Sequence, residues 1–125
     1  MIILRKEEAL LKENAIEEKS FNFAVRIVKL NRYLNEKKEF VLSKQLLRCG
    51  TSIGANVSEA QFGQSKADFC AKMHIALKEA NETRYWLRLL YASEYLQQSQ
   101  YESIRKDIDE IISLLSAICK TSERK

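Results

Sequence analysis

The sequence contains no proline and only three glycines among its 125 residues. Because these two residue types punctuate turns between strands, their scarcity argues against a β-rich fold. Leucine, alanine, glutamate and lysine, which favour helices, are abundant instead. No apolar run approaches the ~20 residues of a membrane-spanning helix, and the apolar start of the chain is too short for a signal peptide. We therefore expect a soluble, cytoplasmic, all-α protein.

Cysteine and histidine are also scarce, with three and one occurrences. Cys49, Cys70 and Cys119 are odd in number and widely spaced, which is typical of buried free thiols in a reducing compartment. His74 is interpreted as an ordinary residue of a helix face, with no cysteine or carboxylate at ligand spacing around it. The sequence therefore predicts no metal site and no cofactor.

Two of the glycines lie in the segment RCGTSIGANVSEA, residues 48–60. A phosphate-binding loop requires GxxxxGK[ST] between a strand and a helix, and here no lysine follows Gly54 and the surrounding pattern is helical. Nucleotide binding by this segment is therefore excluded. On a helix, Gly50, Gly54 and Ser58 recur every four residues along one stripe, which predicts close packing of a neighbouring helix.

Apolar spacing predicts four helices, over about residues 15–37, 40–62, 66–95 and 101–120. The charged residues from Glu36 to Glu39 favour a turn between the first two helices. The fourth helix carries one uninterrupted apolar stripe that consists of Ile104, Ile108, Ile111, Leu115 and Ile118. Gly63 is expected to adopt the left-handed conformation after the second helix. Ser65, with Asp68 three residues later, and Ser99 are expected to cap the third and fourth helices. Short connections favour antiparallel neighbours, so the sequence predicts an up-down-up-down four-helix bundle. The expected organisation is an N-terminal helical extension (1–13), the four-helix bundle (14–121) and a frayed tail (122–125).

The positive charge is concentrated in one window of the chain. The formal net charge is +4, and residues 19–48 contain eight basic residues but only two acidic ones, Glu36 and Glu39. The first helix carries basic residues on one face with no interleaved carboxylates, which favours phosphate contacts with little sequence selectivity. The sequence therefore predicts binding of RNA or DNA. The candidate nucleic-acid-binding residues are Lys19, Arg26, Lys29, Arg32, Lys37, Lys38, Lys44 and Arg48.

A second apolar strip on the first helix lies away from its core face and consists of Phe21, Val25 and Val28. An isolated bundle would leave this strip in water, so we expect it to be the interface of a homo-oligomer. The alternative hypothesis is a protein-interaction scaffold that docks a partner on this strip and has no role with nucleic acid. In that case the basic charge only maintains solubility.

The segment KEANETRYW contains two carboxylates three residues apart, Glu79 and Glu82. Such a pair can perform acid-base chemistry, but no nucleophile, metal set or oxyanion donor accompanies it in the sequence. We therefore expect structural hydrogen bonds or ion pairs here, no catalytic residues, and no enzymatic activity.

Three blocks occur in order along the chain: EKSFNFAVRIVKL, LSKQLLRCGTSIGANVSEAQ and ALKEANETRYWLRLL. Together they resemble the four-helix-bundle family of proteins encoded in intervening sequences of bacterial 23S rRNA genes, a family related to the accessory variability determinant protein of diversity-generating retroelements. The resemblance covers about residues 14–121. It implies a four-helix bundle and a ring-like homopentamer. For the retroelement branch alone, it also implies binding of nucleic acid and of a reverse transcriptase through a positively charged surface.

Overall fold

A computed structural model describes the backbone of residues 2–123 and the side chains of residues 6–123. This part of the chain contains four helices and no strand. The helices are α1 (Ile2–Glu36), α2 (Leu42–Gln61), α3 (Lys66–Ala92) and α4 (Gln98–Glu123). None of the helices in these residues combines the length and apolar character needed to cross a membrane. The predicted all-α class is confirmed.

In cross-section the four helices lie at the corners of a square, and each helix packs against two others. α1 and α3 both contact α2 and α4, whereas the diagonal pairs make no close contact within residues 2–123. Short turns join consecutive helices, so each helix runs antiparallel to its neighbours, and the predicted up-down-up-down bundle is confirmed. The turns over residues 37–41 and 93–97 lie at one end, here named the upper end. The turn over residues 62–65 lies at the opposite, lower end.

The core consists of one apolar seam from each helix. The stripe predicted for α4 is buried throughout, and all five of its residues have at most 5% exposure. Those residues are Ile104, Ile108, Ile111, Leu115 and Ile118. Phe23 and Ile27 of α1 meet this seam as buried side chains, whereas Leu30 is half-buried at its edge.

The first helix is longer than its apolar periodicity predicted. α1 begins at Ile2, well before the predicted start at Ala15, and continues without interruption to Glu36. The division of the chain into an extension, a bundle and a tail stays a prediction. α4 continues to Glu123, and residues 124–125 of the expected tail lie outside the described residues.

Left-handed residues end two of the helices, and neither of them is glycine. Lys38 has φ 63° after α1, where the N–H of Glu39 donates to the Leu34 carbonyl at 2.9 Å. Glu94 has φ 69° after α3, where the N–H of Tyr95 donates to the corresponding helix carbonyl at 2.9 Å. In both turns the N–H donates to the carbonyl five residues earlier, which is the hydrogen bond of the Schellman motif. It satisfies a carbonyl that the helix leaves free.

The prediction of a left-handed Gly63 is wrong, because no glycine in the described residues has a positive φ. The Gly63 N–H donates to the Ala60 carbonyl at 3.1 Å, so α2 ends in a tight turn instead. A Cβ at this position would lie 3.2 Å from the Ala60 oxygen and 3.3 Å from the Phe69 nitrogen. The glycine therefore serves the close approach of α3 rather than an unusual backbone angle.

The two predicted serine caps have opposite outcomes. Ser65 is extended, with φ −147° and ψ 165°, and its hydroxyl accepts the Asp68 N–H at 3.1 Å, so this cap is confirmed. Ser99 lies inside α4, and the prediction that it caps that helix is wrong. The turn before α4 is held instead by Gln100, whose side-chain oxygen accepts the Gln97 N–H at 2.8 Å.

Candidate nucleic-acid interface

Two of the predicted cations, Lys19 and Arg26, project from α1 toward α4, where carboxylates meet them. Lys19 pairs with Glu110, and Arg26 Nη1 lies 2.5 Å from Asp107 Oδ2. Arg26 Nη2 also donates to Ser103 Oγ at 3.0 Å. The expectation that this face lacks compensating carboxylates is therefore wrong, because the neighbouring helix supplies them. The two pairs reduce the positive charge that this part of α1 offers to a phosphate backbone.

A third predicted cation, Arg48, connects α2 to α3. Its guanidinium lies 3.3 Å from Glu79 Oε2 and also pairs with Glu82. The Trp86 indole N–H donates to the same Glu82 oxygen at 3.1 Å. Glu79 and Glu82, the carboxylate pair noted in the sequence, therefore bind Arg48 and Trp86 on the outer surface of the α2–α3 contact.

The other five predicted cations form an exposed group at the upper end. None of them pairs with a carboxylate in the part of the chain that the structure describes. They lie on the last two turns of α1, in the following turn and at the start of α2, and they are distributed around the upper end, from Lys29 on the α1–α4 side to Lys44 on the side of α2 that carries Arg48. This group, named the upper cluster, consists of Lys29, Arg32, Lys37, Lys38 and Lys44.

An aromatic ring lies beside the upper cluster. The Lys37 ammonium is 5.1 Å from the centroid of the Tyr33 ring. Hydrogen bonds from Lys37 and then Gln100 lower the pKa of the Tyr33 phenol, because a nearby cation and donor favour the phenolate. Tyr33 thereby joins the end of α1 to the first turn of α4.

Glu39 behaves differently from the exposed charge that the sequence suggested for this turn. It is 7% exposed, and its carboxylate accepts the N–H groups of Leu42 at 2.9 Å and Ser43 at 2.7 Å. These are first-turn donors of α2 that the helix itself cannot satisfy. Glu39 therefore caps α2, and its charge faces the helix rather than the lysines around it.

The glycine stripe of α2 faces α1. A Cβ on Gly50 would lie 2.9 Å from two side-chain atoms of Ile27, and a Cβ on Gly54 would lie 3.2 Å from the Ser20 carbonyl oxygen. Ser58, the third member of the predicted stripe, is exposed at the open edge of the same contact. The two glycines thus allow the backbones to approach and bring no chemical group to the site.

The apolar strip of α1 is exposed. Phe21 is 67% exposed, Val25 40% and Val28 37%. On α3, which is diagonal to α1 in the bundle, Ile75 and Tyr85 are also exposed, at 43% and 57%. The protein therefore presents apolar side chains on two opposite sides of the bundle.

The three thiols are free within the described residues, and Cys49 and Cys119 are buried as predicted. Burial raises the pKa of each of these two thiols to about 11. Cys70 is half-buried, and its Sγ lies 3.5 Å from Nδ1 of His74. The expectation of no cysteine or carboxylate near His74 is wrong, because its Nε2 also lies 2.7 Å from Glu123. No group of three potential metal ligands occurs among the described residues.

His74 gives the fold a predicted pH dependence. A hydrogen bond to the Cys70 carbonyl and then one to Glu123 raise its pKa above the ordinary 6.5. The imidazolium therefore stabilises the fold fully below the ordinary pKa, and this contribution is lost as pH rises through the raised value. The pair is exposed, so the effect is small.

Urea unfolding between about pH 5 and pH 8 checks this prediction, because the stability-versus-pH curves of the protein and of His74→Gln should converge at high pH. Parallel curves would contradict it.

One cation of this region was missed by the sequence analysis. Lys106 is exposed on α4, three residues after Ser103, and therefore lies on the same side of that helix. Its signal in the sequence was weak, because the acidic residues Asp107 and Glu110 follow it closely and neutralise the local charge.

Together, the fold and the site define a small antiparallel four-helix bundle with a cationic upper end and two exposed apolar sides. The chain belongs to the family of 23S rRNA-intervening sequence proteins, whose sequence profile matches residues 12–117. This match confirms the resemblance carried by the three sequence blocks.

A solved structure supports the same assignment. A crystal structure of a protein of unknown function from the S23 ribosomal protein family of Bacteroides thetaiotaomicron VPI-5482 is 60% identical to this chain, with a TM-score of 0.85. The match covers 87% of this chain and 98% of that one. No curated protein matches the chain.

Proposed function

We propose that the protein is a non-enzymatic, cytoplasmic homo-oligomer that binds RNA or DNA through the phosphate backbone. The observation that carries the proposal is the upper cluster, five exposed cations without carboxylate partners in residues 6–123. Such cations release counterions when they meet phosphates, which favours binding without base selectivity. The family name refers to 23S rRNA, and RNA is therefore the first ligand to test.

The ion pairs rank the candidate residues. Lys19, Arg26 and Arg48 each have a carboxylate partner, so a phosphate would have to compete with that partner. The members of the upper cluster have no such competition. We therefore assign the main phosphate contacts to the cluster and secondary contacts to the three paired cations. The occupied carboxylates of the Arg48 contact support the non-enzymatic part of the proposal.

Reversing charges of the upper cluster is expected to weaken binding and reduce its salt dependence. Fluorescence anisotropy with a labelled single-stranded RNA should show affinity falling steeply between about 50 and 200 mM salt. The triple variant Arg32→Glu, Lys38→Glu and Lys44→Glu should lower the slope of log affinity against log salt by about 2, since each phosphate contact on a single strand contributes about 0.7.

The matched control reverses three exposed lysines at the lower end: Lys6→Glu, Lys12→Glu and Lys120→Glu. It changes the net charge by the same amount and is expected to leave the slope nearly unchanged. Equal losses in the two triple variants would show a general charge effect and contradict the assigned interface. No binding by the unmodified protein at low salt would favour the scaffold without a nucleic-acid role.

The exposed apolar strip of α1 and the exposed Ile75 and Tyr85 of α3 support assembly into a homo-oligomer. Apolar side chains on opposite sides of a bundle suit head-to-tail contacts, which close into rings when the rotation between copies allows it. Light scattering should give a multiple of the monomer mass, and Phe21→Glu with Val25→Glu should lower it toward the monomer. Val41→Glu changes an exposed apolar residue outside these two sets and serves as the control. A monomer at micromolar concentration would contradict the proposal, and five copies would match the family resemblance.

A further inference from the structure

A groove lies between α1 and α4 at the upper end, directly beside the upper cluster. It encloses about 540 Å³, within the range of pockets that hold small ligands. Its floor is apolar and consists of Leu30, Leu96 and Ile104, of which the last two are 4% exposed. Tyr33 forms part of its wall. The groove therefore offers an open space with an apolar floor at the surface where phosphate contacts are proposed.

The rim of the groove is polar and uncharged on the α4 side. Ser99, Gln100 and Ser103 line it there, and their hydroxyl and amide groups can both donate and accept hydrogen bonds. Lys29 lines the α1 side, and Lys106 follows one turn after Ser103 on α4. Neither lysine has a carboxylate partner in the described part of the chain. The groove thus combines an apolar floor, a hydrogen-bonding rim and one cation without a carboxylate partner among the described residues, Lys29, whereas Lys106 lies outside its lining, next to the Arg26–Asp107 contact.

The groove is formed by the packing of α1 against α4. At one end Arg26 bridges α1 to Asp107 and Ser103 of α4. At the other end Tyr33 of α1 and Gln100 of α4 both line it. Because the two helices already pack against each other in the bundle, the space between them does not depend on a bound molecule to form.

We propose that this groove accepts one unpaired base of a single-stranded RNA or DNA, with Lys29 and Lys106 contacting the phosphates on either side of it. An unstacked base has apolar faces and hydrogen-bonding edges, which match the floor and the rim. Bases in a duplex are paired and stacked, so they cannot enter. The inference rests on the proposed function and adds a preference for single strands. A bare phosphate would use only the lysines and the polar rim, and an apolar peptide would use only the apolar floor.

Two groove variants test the inference, and both keep all five cations of the upper cluster. Ser99→Trp places a large ring at the rim to fill the space, and Ser99→Ala is its control. Tyr33→Leu keeps an apolar wall but removes the aromatic ring and the phenol. Anisotropy is measured with the full-length protein, using a labelled single strand of about 12 nucleotides and a duplex of the same sequence. Thermal melting followed by circular dichroism checks that each variant is folded.

The expected result is a loss of about tenfold in single-strand affinity for Ser99→Trp and Tyr33→Leu, with duplex affinity unchanged, since stacking of one base accounts for a loss of this size. Unchanged single-strand affinity in both variants would overturn the groove assignment. If the triple variant of the upper cluster still weakened binding, the proposed function would stand without it. Equal losses of affinity for the single strand and for the duplex would also overturn the groove assignment. A variant with a changed oligomer mass but normal RNA binding would overturn it as well. No nucleic-acid binding by the unmodified protein would end both proposals.

Discussion

Replacing Gly50 by alanine is expected to destabilise the bundle by about 1 kcal/mol, and the same substitution is expected to stabilise it once Ile27 is also alanine. Alanine gains about 1 kcal/mol over glycine inside a helix. Against this gain, the added methyl group would lie 2.9 Å from Cγ1 and Cγ2 of Ile27, and overpacking of a core costs about 1 to 3 kcal/mol. Crowding therefore outweighs helix propensity in the intact core.

Ile27 cannot move aside without loss. It is fully buried, and a β-branched side chain on a helix is restricted to few rotamers. Ile27→Ala alone removes the atoms that the new methyl group would meet and should cost about 2 to 5 kcal/mol. In that background the methyl group of Gly50→Ala partly fills the cavity, and the gain in helix propensity remains. The two substitutions should therefore be coupled by about 2 kcal/mol.

Urea unfolding of the two single variants and the double variant, at one protein concentration, measures this coupling. Gln45→Ala, at an exposed position of α2, is the control and should have the same small effect with either residue at 27. If Gly50→Ala were stabilising in the unmodified protein, the contact between α1 and α2 would have room for the added methyl group. That result would contradict the packing role of the glycine stripe.

The sequence predicted the parts of the fold that depend on repeated apolar spacing. The α4 stripe from Ile104 to Ile118 was predicted residue by residue, because each member must be buried for the helix to pack at all. The stripe of α2 was equally informative, since glycines are costly in a helix unless a neighbour approaches closely. Helix number, order and antiparallel topology followed from these patterns and from the short connections.

Helix ends were less predictable, because they depend on single contacts with the next element. Gly63 was expected to supply a left-handed backbone, but its role is to leave room for the first turn of α3, where Asp68 Cβ and the Phe69 nitrogen lie close to it. Lys38 and Glu94 adopt that conformation instead, since the hydrogen bonds of the two turns require it whatever residue is present. The helical extension predicted for residues 1–13 and the helix predicted from residue 15 form one continuous α1, since no proline or glycine separates them.

The candidate site could be predicted only as a set of cations, without their partners. Arg26 and Asp107 are far apart in the sequence, and their pairing depends on how α1 and α4 are rotated against one another. The sequence of α1 alone contains no information about that rotation. The upper cluster could be separated from the paired cations only with the structure, and the same is true of Lys106 and the groove. The proposed function therefore depends on which charges the packing leaves unpaired.

Replacing Glu39 by alanine is expected to destabilise the protein by about 2 kcal/mol, although its sequence context suggested an exposed turn residue. The carboxylate accepts two N–H groups at the start of α2, and one of them belongs to Ser43, which is 1% exposed. Loss of a helix cap costs about 0.5 to 2 kcal/mol, and a buried donor left without an acceptor costs about 1 to 3 kcal/mol. The negative charge also interacts favourably with the positive end of the helix dipole. Glu39→Gln, which keeps one acceptor oxygen, should lose about half as much.

Urea unfolding of Glu39→Ala, Glu39→Gln and Glu36→Ala tests this prediction. Glu36 is an exposed glutamate of the same region without these hydrogen bonds, so its replacement should change stability by less than about 0.5 kcal/mol. Hydrogen exchange at the Leu42 and Ser43 amides should accelerate in Glu39→Ala before exchange elsewhere in α2 does, because these donors lose their acceptor directly. Equal effects of the Glu36 and Glu39 substitutions would contradict the capping role.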